Sequence, residues 1–354
     1  GFRSRVIAVG GELVGSTGYA WHPYPDGGGV FPLRRGGWIY ASNSEVPWPG
    51  AGGASAIRFD RDGEIVAAYR ILSGTTLNCA GGMTPWGTWL SCEETQDGRV
   101  WECDVRGRRQ TVDRPAMGIF AHEAAGVDPV RRCVYMTEDA FTGLLYRFVP
   151  DQWPLLASGT LEAAAVDGTQ VSWVPVTDPS ATGGPARDSA PGATRFAGGE
   201  GLFLSGDLLY FVTKWDSHVH RLDLATSTLS TLWDGAPPLV GSDNITVHAP
   251  TGDVYVCEDT GDMQIAAITP EGQAAPFLQV LDHPDSEMVG VAFDPVGGRM
   301  YFSSQRAPTP KTLPDVVPNT TDDRGIGVTY EVTGPFVTAP PTPPTTTSTT
   351  RRRA

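Results

Sequence analysis

Lysine is nearly absent from this chain. Of 26 basic residues only Lys214 and Lys311 are lysines, against 40 acidic ones. The formal charge of −14 leaves no basic face to neutralise a nucleic-acid backbone, so no nucleic-acid partner is expected. Apolar runs stop far short of the ~20 residues of a membrane span, so no span is expected. No long 3.6-residue amphipathic period is present, which excludes a helical bundle. Also missing are His-x-x-x-His, Cys-x-x-Cys, Gly-x-Ser-x-Gly and a phosphate-binding Gly-rich loop before a helix, the signatures of several common hydrolase and metal-site classes. Cysteine is scarce and odd in number: Cys79, Cys92, Cys103, Cys133 and Cys257. At least one is unpaired if all bonds are internal; Cys103 and Cys133 flank one hairpin connection and could pair.

What the chain has instead is turn residues, with 43 Gly and 30 Pro, and a repeat. Five segments share one plan: NCAGGMTPWGTWLSCEE from Asn78, HEAAGVDPVRRCVYMTEDA from His122, GEGLFLSGDLLYFVTKWD from Gly199, DNITVHAPTGDVYVCED from Asp243 and SEMVGVAFDPVGGRMYFSSQR from Ser286. Each reads as a polar opener, an apolar run, a Gly/Pro/Asp turn, a second apolar run and a polar closer, which is a β-hairpin. Glu45, ending Tyr40–Glu45, is a sixth closer. Closers at Glu45, Glu94, Asp139, Trp215, Asp259 and Ser304 recur every 44–49 residues, apart from a 76-residue gap between Asp139 and Trp215. That cadence predicts an all-β, six-bladed β-propeller over residues 1–335. The excess is expected as an insertion over about 150–198. The Pro/Thr-rich segment 336–354 lacks core-forming residues and is expected to be a disordered tail, of a kind commoner on exported proteins. The chain opens on Gly1 rather than Met, so any leader is expected to have been removed or left out.

A hairpin brings its opener and closer together, and stacking hairpins about an axis gathers them in one place. The closer acids are Glu45, Glu93, Glu94, Glu138, Asp139, Glu258 and Asp259; the opener acids are Glu123, Glu200, Asp243 and Glu287. Any one of them is explained by turn capping. Recurring in phase, they predict a cation site, because converging carboxylates either take up protons or bind metal. Calcium accepts six to eight such oxygens. Cys79 stands where other repeats carry an acid. As a thiolate it would select iron or zinc over calcium; as a thiol it would be a small buried hydrophobe. Both readings stay open. Cys92 and Cys257 precede closer acids and are expected to face blade packing. His122 adjoins Glu123 and reads equally as ligand, ligand support or core residue.

These segments resemble the PhoX alkaline phosphatase family. The likeness rests on Asn43-Ser44-Glu45, on Asn78-Cys79-Ala80-Gly81-Gly82 with Thr84-Pro85-Trp86-Gly87-Thr88-Trp89 and Cys92-Glu93-Glu94, on His122-Glu123-Ala124-Ala125, and on Glu138-Asp139 with Gly143-Leu144-Leu145-Tyr146-Arg147-Phe148. Gly198-Gly199-Glu200-Gly201 and Asp243-Asn244 follow in order. The resemblance covers most of residues 1–335. It implies an exported monomer that hydrolyses small phosphomonoesters at an axial iron–calcium cluster and leaves the cell by the twin-arginine route. It makes Cys79 an iron ligand, joined by Glu123, Glu200 and Asp243, the residues of the reacting centre. It gives Glu45, Glu93, Glu94 and Asp139 to calcium, with Asn244 or Glu258 adding oxygens. Ca2+ and Fe3+ are the implied cofactors.

Two departures stand out. The family's Arg-Pro-Glu motif, whose arginine grips phosphate, reads Gly198-Gly199-Glu200 here. Neither Lys214 nor Lys311 lies where the family's phosphate-gripping lysine is expected, and Arg147, Arg195 and Arg306 are the remaining candidates. Two functions therefore stand side by side. One is a secreted metal-dependent phosphatase. The other is a calcium-binding β-propeller without phosphatase activity, serving as a binding module or a lactonase- or esterase-like hydrolase.

Overall fold

Apolar runs of five to eight residues broken by turn residues can bury themselves only as strands packed on both faces. The computed structural model describes residues 1–283, 286–307 and 326–338, and there the runs are strands. The only helical elements among the described residues are two short 3-10 turns, Pro115–Met117 and Ala186–Ser189. The strands form six antiparallel groups of four. Their first strands are Pro25–Pro32, Asn78–Met83, His122–Asp128, Gly199–Ser205, Ser242–Val247 and Met288–Phe293. Each first strand packs on the next, and the sixth returns to the first, so the ring is closed. This is a propeller arrangement of sheets, and each group is a blade.

Closure of the last blade was not foreseen. Its fourth strand is the chain's beginning, Arg3–Val9, which pairs antiparallel with Val328–Thr333 from Arg3 opposite Thr333 to Val9 opposite Val328. Both ends of the described chain thus lock into one sheet, which completes the sixth group of four. Phe336, expected to begin the tail, instead packs against Phe2, Phe277 and Phe293. The rest of the expected tail, 339–354, lies outside the described residues, as does Lys311.

The insertion starts later than expected. Leu155–Asp167 is the fourth strand of the third blade, paired with Leu145–Gln152. Only the strand Gln170–Pro175 and the loop after it are additional. That strand bridges the third and fourth blades into one nine-stranded sheet through Gln170 opposite Thr228.

Six apolar clusters lie between neighbouring blades, one per junction. Middle strands buried on both sides explain why the sequence shows apolar runs rather than alternation. The thiols of Cys92 and Cys257 lie in two of these clusters, facing blade packing as expected. Cys103 and Cys133 lie in different clusters, and all five cysteines are unpaired, so the suggested disulfide is absent. At the axis the first strands nearly touch. A side chain at Gly82 would overlap the Ala125 carbonyl, which is why only glycine fits there.

Candidate metal centre

Five of the six first strands carry the same irregularity. Between Pro25 and Gly28, Asn78 and Gly81, His122 and Ala125, Gly199 and Leu202, and Ser242 and Ile245, two residues face one on the partner strand. This is a β-bulge, which bends the strand and re-aims a side chain. The first bulged residues are Asp26, Cys79, Glu123, Glu200 and Asp243. Glu287, just before the sixth strand, completes an inner ring with one residue from each blade. The bulge in that strand falls three residues further on, at Gly290 and Val291.

A second ring comes from the residue just past each second strand: Glu45, Glu94, Asp139, Lys214, Asp259 and Gln305. A backbone hydrogen bond holds each closer beside its opener; examples run from Glu94 N to Leu77 O, Lys214 N to Gly198 O and Gln305 N to Glu287 O. The sequence cadence had used Trp215 and Ser304 in two blades, one residue short or long of the true positions. Lys214 therefore belongs to the site, contrary to the expectation that it had no place there.

The two rings interlock. Asp26, Glu45 and Cys79 offer ligand atoms mutually within 4.8 Å, as do Cys79, Glu94 and Glu123, then Glu123, Glu200 and Asp243, then Asp243, Asp259 and Glu287. Shared members make one continuous arc. Asp139 joins it through a hydrogen bond with Glu94. Lys214 Nζ lies 3.2 Å from Glu200 Oε1, 3.9 Å from Asp243 Oδ2 and 3.0 Å from Asp259 Oδ2. Arg306 stands on the other side, 2.9 Å from Glu287 Oε1 and 3.5 Å from Glu45 Oε2. Gln305 Nε2 donates to Asp26 Oδ2 at 2.5 Å and Glu45 Oε2 at 2.7 Å. Arg195 and Arg147 lie elsewhere, bound to Asp188 and Glu162.

Burial and crowding push these acids toward protonation. Desolvation first, then neighbouring carboxylates, raise the pKa of Asp26, Glu94 and Glu123 well above the usual range. Desolvation raises Asp243 to about 6 despite the opposing pull of Lys214. Burial likewise pushes the Cys79 thiol up, aided by the charges of Asp26 and Glu123. Burial pulls Lys214 and Arg306 down, but the surrounding carboxylates outweigh it and both pKa values rise. Asp259 is the exception among the acids. Burial pushes it up, but a hydrogen bond with Glu287 and the charge of Lys214 leave it below its ordinary value.

The set fits metal. Both carboxylate oxygens of Glu123 are buried with no hydrogen-bond partner, an arrangement that a native fold keeps only for a role. Among the described residues no ion pair reaches Glu94, Glu123 or Asp139, so this half of the arc lacks protein cations. Cys79 lies in that half, its Sγ 3.6 Å from Asp26 Oδ2.

Three residues expected among the ligands are placed differently. Glu93 accepts from Thr76 N at 3.0 Å and Trp101 Nε1 at 2.9 Å, inside its blade. Glu258 accepts from Val240 N and from Gln264 N and Nε2. Asn244 donates to Asp243 Oδ1 at 2.6 Å and accepts from Gly290 N at 3.0 Å, so it orients its neighbour. Strand alternation explains the first two: in Glu93-Glu94 and Glu258-Asp259 one acid faces the blade and the next the axis. His122 is bonded to Gly118 O at 3.0 Å and packs tilted against Phe120 with ring centroids 3.6 Å apart, and it is in none of the ligand groups. Asp26 was not expected at the site at all, while Asp259 and Glu287 were counted among the in-phase acids but left out of the ligand set the resemblance implies. The other blades space opener and closer by 14–18 residues, which read back from Glu45 stops at Gly27, so the longer 19-residue span hid Asp26.

The sequence model of the family described as "Alkaline phosphatase PhoX" matches residues 41–111 and 98–214. Pseudomonas fluorescens PhoX, solved in complex with vanadate, a transition state analogue, superposes with a TM-score of 0.74 at 18% identity, over 94% of this chain and 95% of that one. A Bacteroides thetaiotaomicron protein of unknown function superposes at 0.56 and 9% identity, over 94% and 76%. At such identities these likenesses show the fold. No curated protein matches the sequence.

Proposed function

We propose that this chain, which belongs to the PhoX family of alkaline phosphatases, is a secreted hydrolase of small phosphomonoesters acting at an axial iron–calcium cluster. The observation that carries the reading is the pairing of a buried nest around Glu123, which no ion pair reaches among the described residues, with two cations on the neighbouring acids of the same arc. Cys79, Glu94 and Glu123 offer one thiol and two carboxylates, a set suited to a transition metal. Glu200, Asp243, Asp259, Glu287, Glu45 and Asp139 offer oxygen alone, which suits calcium, and Glu94, in contact with Asp139, would serve both sets. Bound there, the metals would supply Lewis acidity toward a phosphoryl oxygen.

The protein's own part is positioning and charge. Lys214 and Arg306 keep 23% and 24% of their side-chain surface exposed, whereas Glu123 is wholly buried. The cations are thus the more solvent-accessible groups, which a phosphate dianion would meet before Glu123. Both stay charged at working pH, since their pKa values are raised. Phosphoryl transfer is favoured by fixed positive charge on the equatorial oxygens. Lys214 and Arg306 thus serve as the clamp that Gly198, in place of the family's arginine, does not provide. Asp243, oriented by Asn244, sits between the clamp and Glu123.

The test is turnover of an aryl phosphate with added calcium. Wild type should turn over, and Lys214→Met should lower kcat/KM by roughly 10²-fold, as loss of one oriented donor does. A stable, calcium-binding protein with no turnover would instead establish the non-phosphatase propeller.

A further inference from the structure

Beside the arc lies a cavity of about 310 Å³ that the metal chemistry does not use. Its wall includes Gln96, Phe120, Asp139, Ala140, Ala186 and Arg187. Asp139 is shared with the acidic arc, so the cavity begins at the reacting centre. Its size is at the lower end of small-molecule sites, ~300 Å³ and above.

The cavity is rigid and built from two sources. Phe120 is stacked on Tyr146 with centroids 4.2 Å apart and planes 19° apart. Arg187 comes from the inserted loop and donates to Glu138 Oε1 at 2.6 Å. Glu138 also accepts from Tyr146 OH at 2.9 Å, so loop, blade and aromatic wall are tied together. Among the described residues, the one charged side chain lining the cavity besides Asp139 is Arg187, already matched by Glu138. An anionic guest would thus find no free cation, while a flat apolar one finds an aromatic wall, alanines and a guanidinium plane, on which rings stack. The nearby surface has the same character. Phe141 and Trp215 are 73% and 63% exposed and meet edge to face at 6.4 Å. Trp215 and Asp139 both border Gly198.

Resting on the phosphatase reading, we propose that this cavity seats the alcohol part of the ester, and that the preferred substrates are phosphate esters of flat, uncharged, aryl-sized alcohols. The insertion would then be a specificity element, since it supplies Ala186 and Arg187. The test compares kcat/KM for phenyl phosphate and glycerol 2-phosphate in wild type, Gln96→Trp and Ala140→Leu. Gln96 is exposed, so its variant should fold, and the intrinsic reactivities of the two esters cancel between proteins. The phenyl-to-glycerol ratio should fall about tenfold in both variants, within the range of pocket discrimination. General damage would lower both rates together and leave the ratio unchanged, and an unchanged ratio overturns the proposal. Calorimetry of the metal-loaded protein with phenylphosphonate and methylphosphonate separates the two claims. If no ester is turned over, the phosphatase reading fails. The cavity assignment then stands only if wild type binds phenylphosphonate more tightly and Gln96→Trp loses that preference.

Discussion

At the scale of single residues, Asn43 shows how structure changes a reading. The sequence groups it with Glu45 as part of one motif. In the fold it is buried and fully bonded: Nδ2 donates to the Cys79 and Ala80 carbonyls at 3.0 and 2.6 Å, and Oδ1 accepts from Trp89 Nε1 and Ser91 Oγ at 2.9 and 2.8 Å. It fastens the bulge that aims Cys79, from the neighbouring blade. Each buried group left unpaired costs about 1–3 kcal/mol, so Asn43→Ala should destabilise the protein by about 3 kcal/mol or more in chemical denaturation. A loss under about 1 kcal/mol would mean water or relaxation replaces these bonds. Cys79 keeps from the sequence its two readings, thiolate ligand or packed thiol. Its place on the inner ring between Asp26 and Glu123, rather than in a blade cluster, favours the ligand.

At the scale of elements, the hairpins were legible and the bulges were not. Openers and closers could be read because strand period and turn residues fix which ends meet. The five proposed hairpins appear as strand pairs such as Asn78–Met83 with Thr88–Glu93 and His122–Asp128 with Cys133–Glu138. Which acid of a doublet faces the axis depends on one residue of register, and no pattern in Cys92-Glu93-Glu94 fixes that. Lys214 was hidden for the same reason: counting to Trp215 skipped the residue that occupies the closer position. The doublets give a direct prediction. Glu94→Gln should weaken calcium binding at least tenfold by calorimetry. Glu93→Gln, whose side chain meets Thr76 N and Trp101, should leave calcium affinity within about threefold while lowering the melting temperature. Equal effects on affinity would place Glu93 in the site as well.

At the scale of the whole molecule, propeller closure concentrates nine carboxylates, eight in the interlocking groups and Asp139, against Lys214 and Arg306. The cadence of the sequence conveyed the ring. Closure through Arg3–Val9 left no trace in it, because an edge strand that completes a distant sheet carries no local signal. The charge excess dictates a pH dependence. For carboxyls whose folded pKa is raised above the unfolded value, the folded state holds more protons, so stability is present at low pH and lost as pH rises through the folded pKa. Asp26, Glu94, Glu123 and Asp243, the last at about 6, are of this kind. Metal-free protein should therefore melt at lower temperature at pH 8 than at pH 5. Millimolar calcium should reverse the order, since ligand deprotonation favours binding and binding stabilises by mass action. Melts that rise with pH in chelator would contradict the assignment of these acids to one crowded site.

The central claim is that the axial arc holds a thiolate-bound transition metal beside calcium. Elemental analysis of protein purified without chelator tests it most directly, with wild type and Cys79→Ser run together. The account predicts calcium and iron in wild type, and calcium with little or no iron in Cys79→Ser, because the oxygen ligands remain while the soft one is gone. Wild-type protein with calcium but no transition metal would contradict it, leaving Cys79 a packed thiol and the arc a calcium site alone.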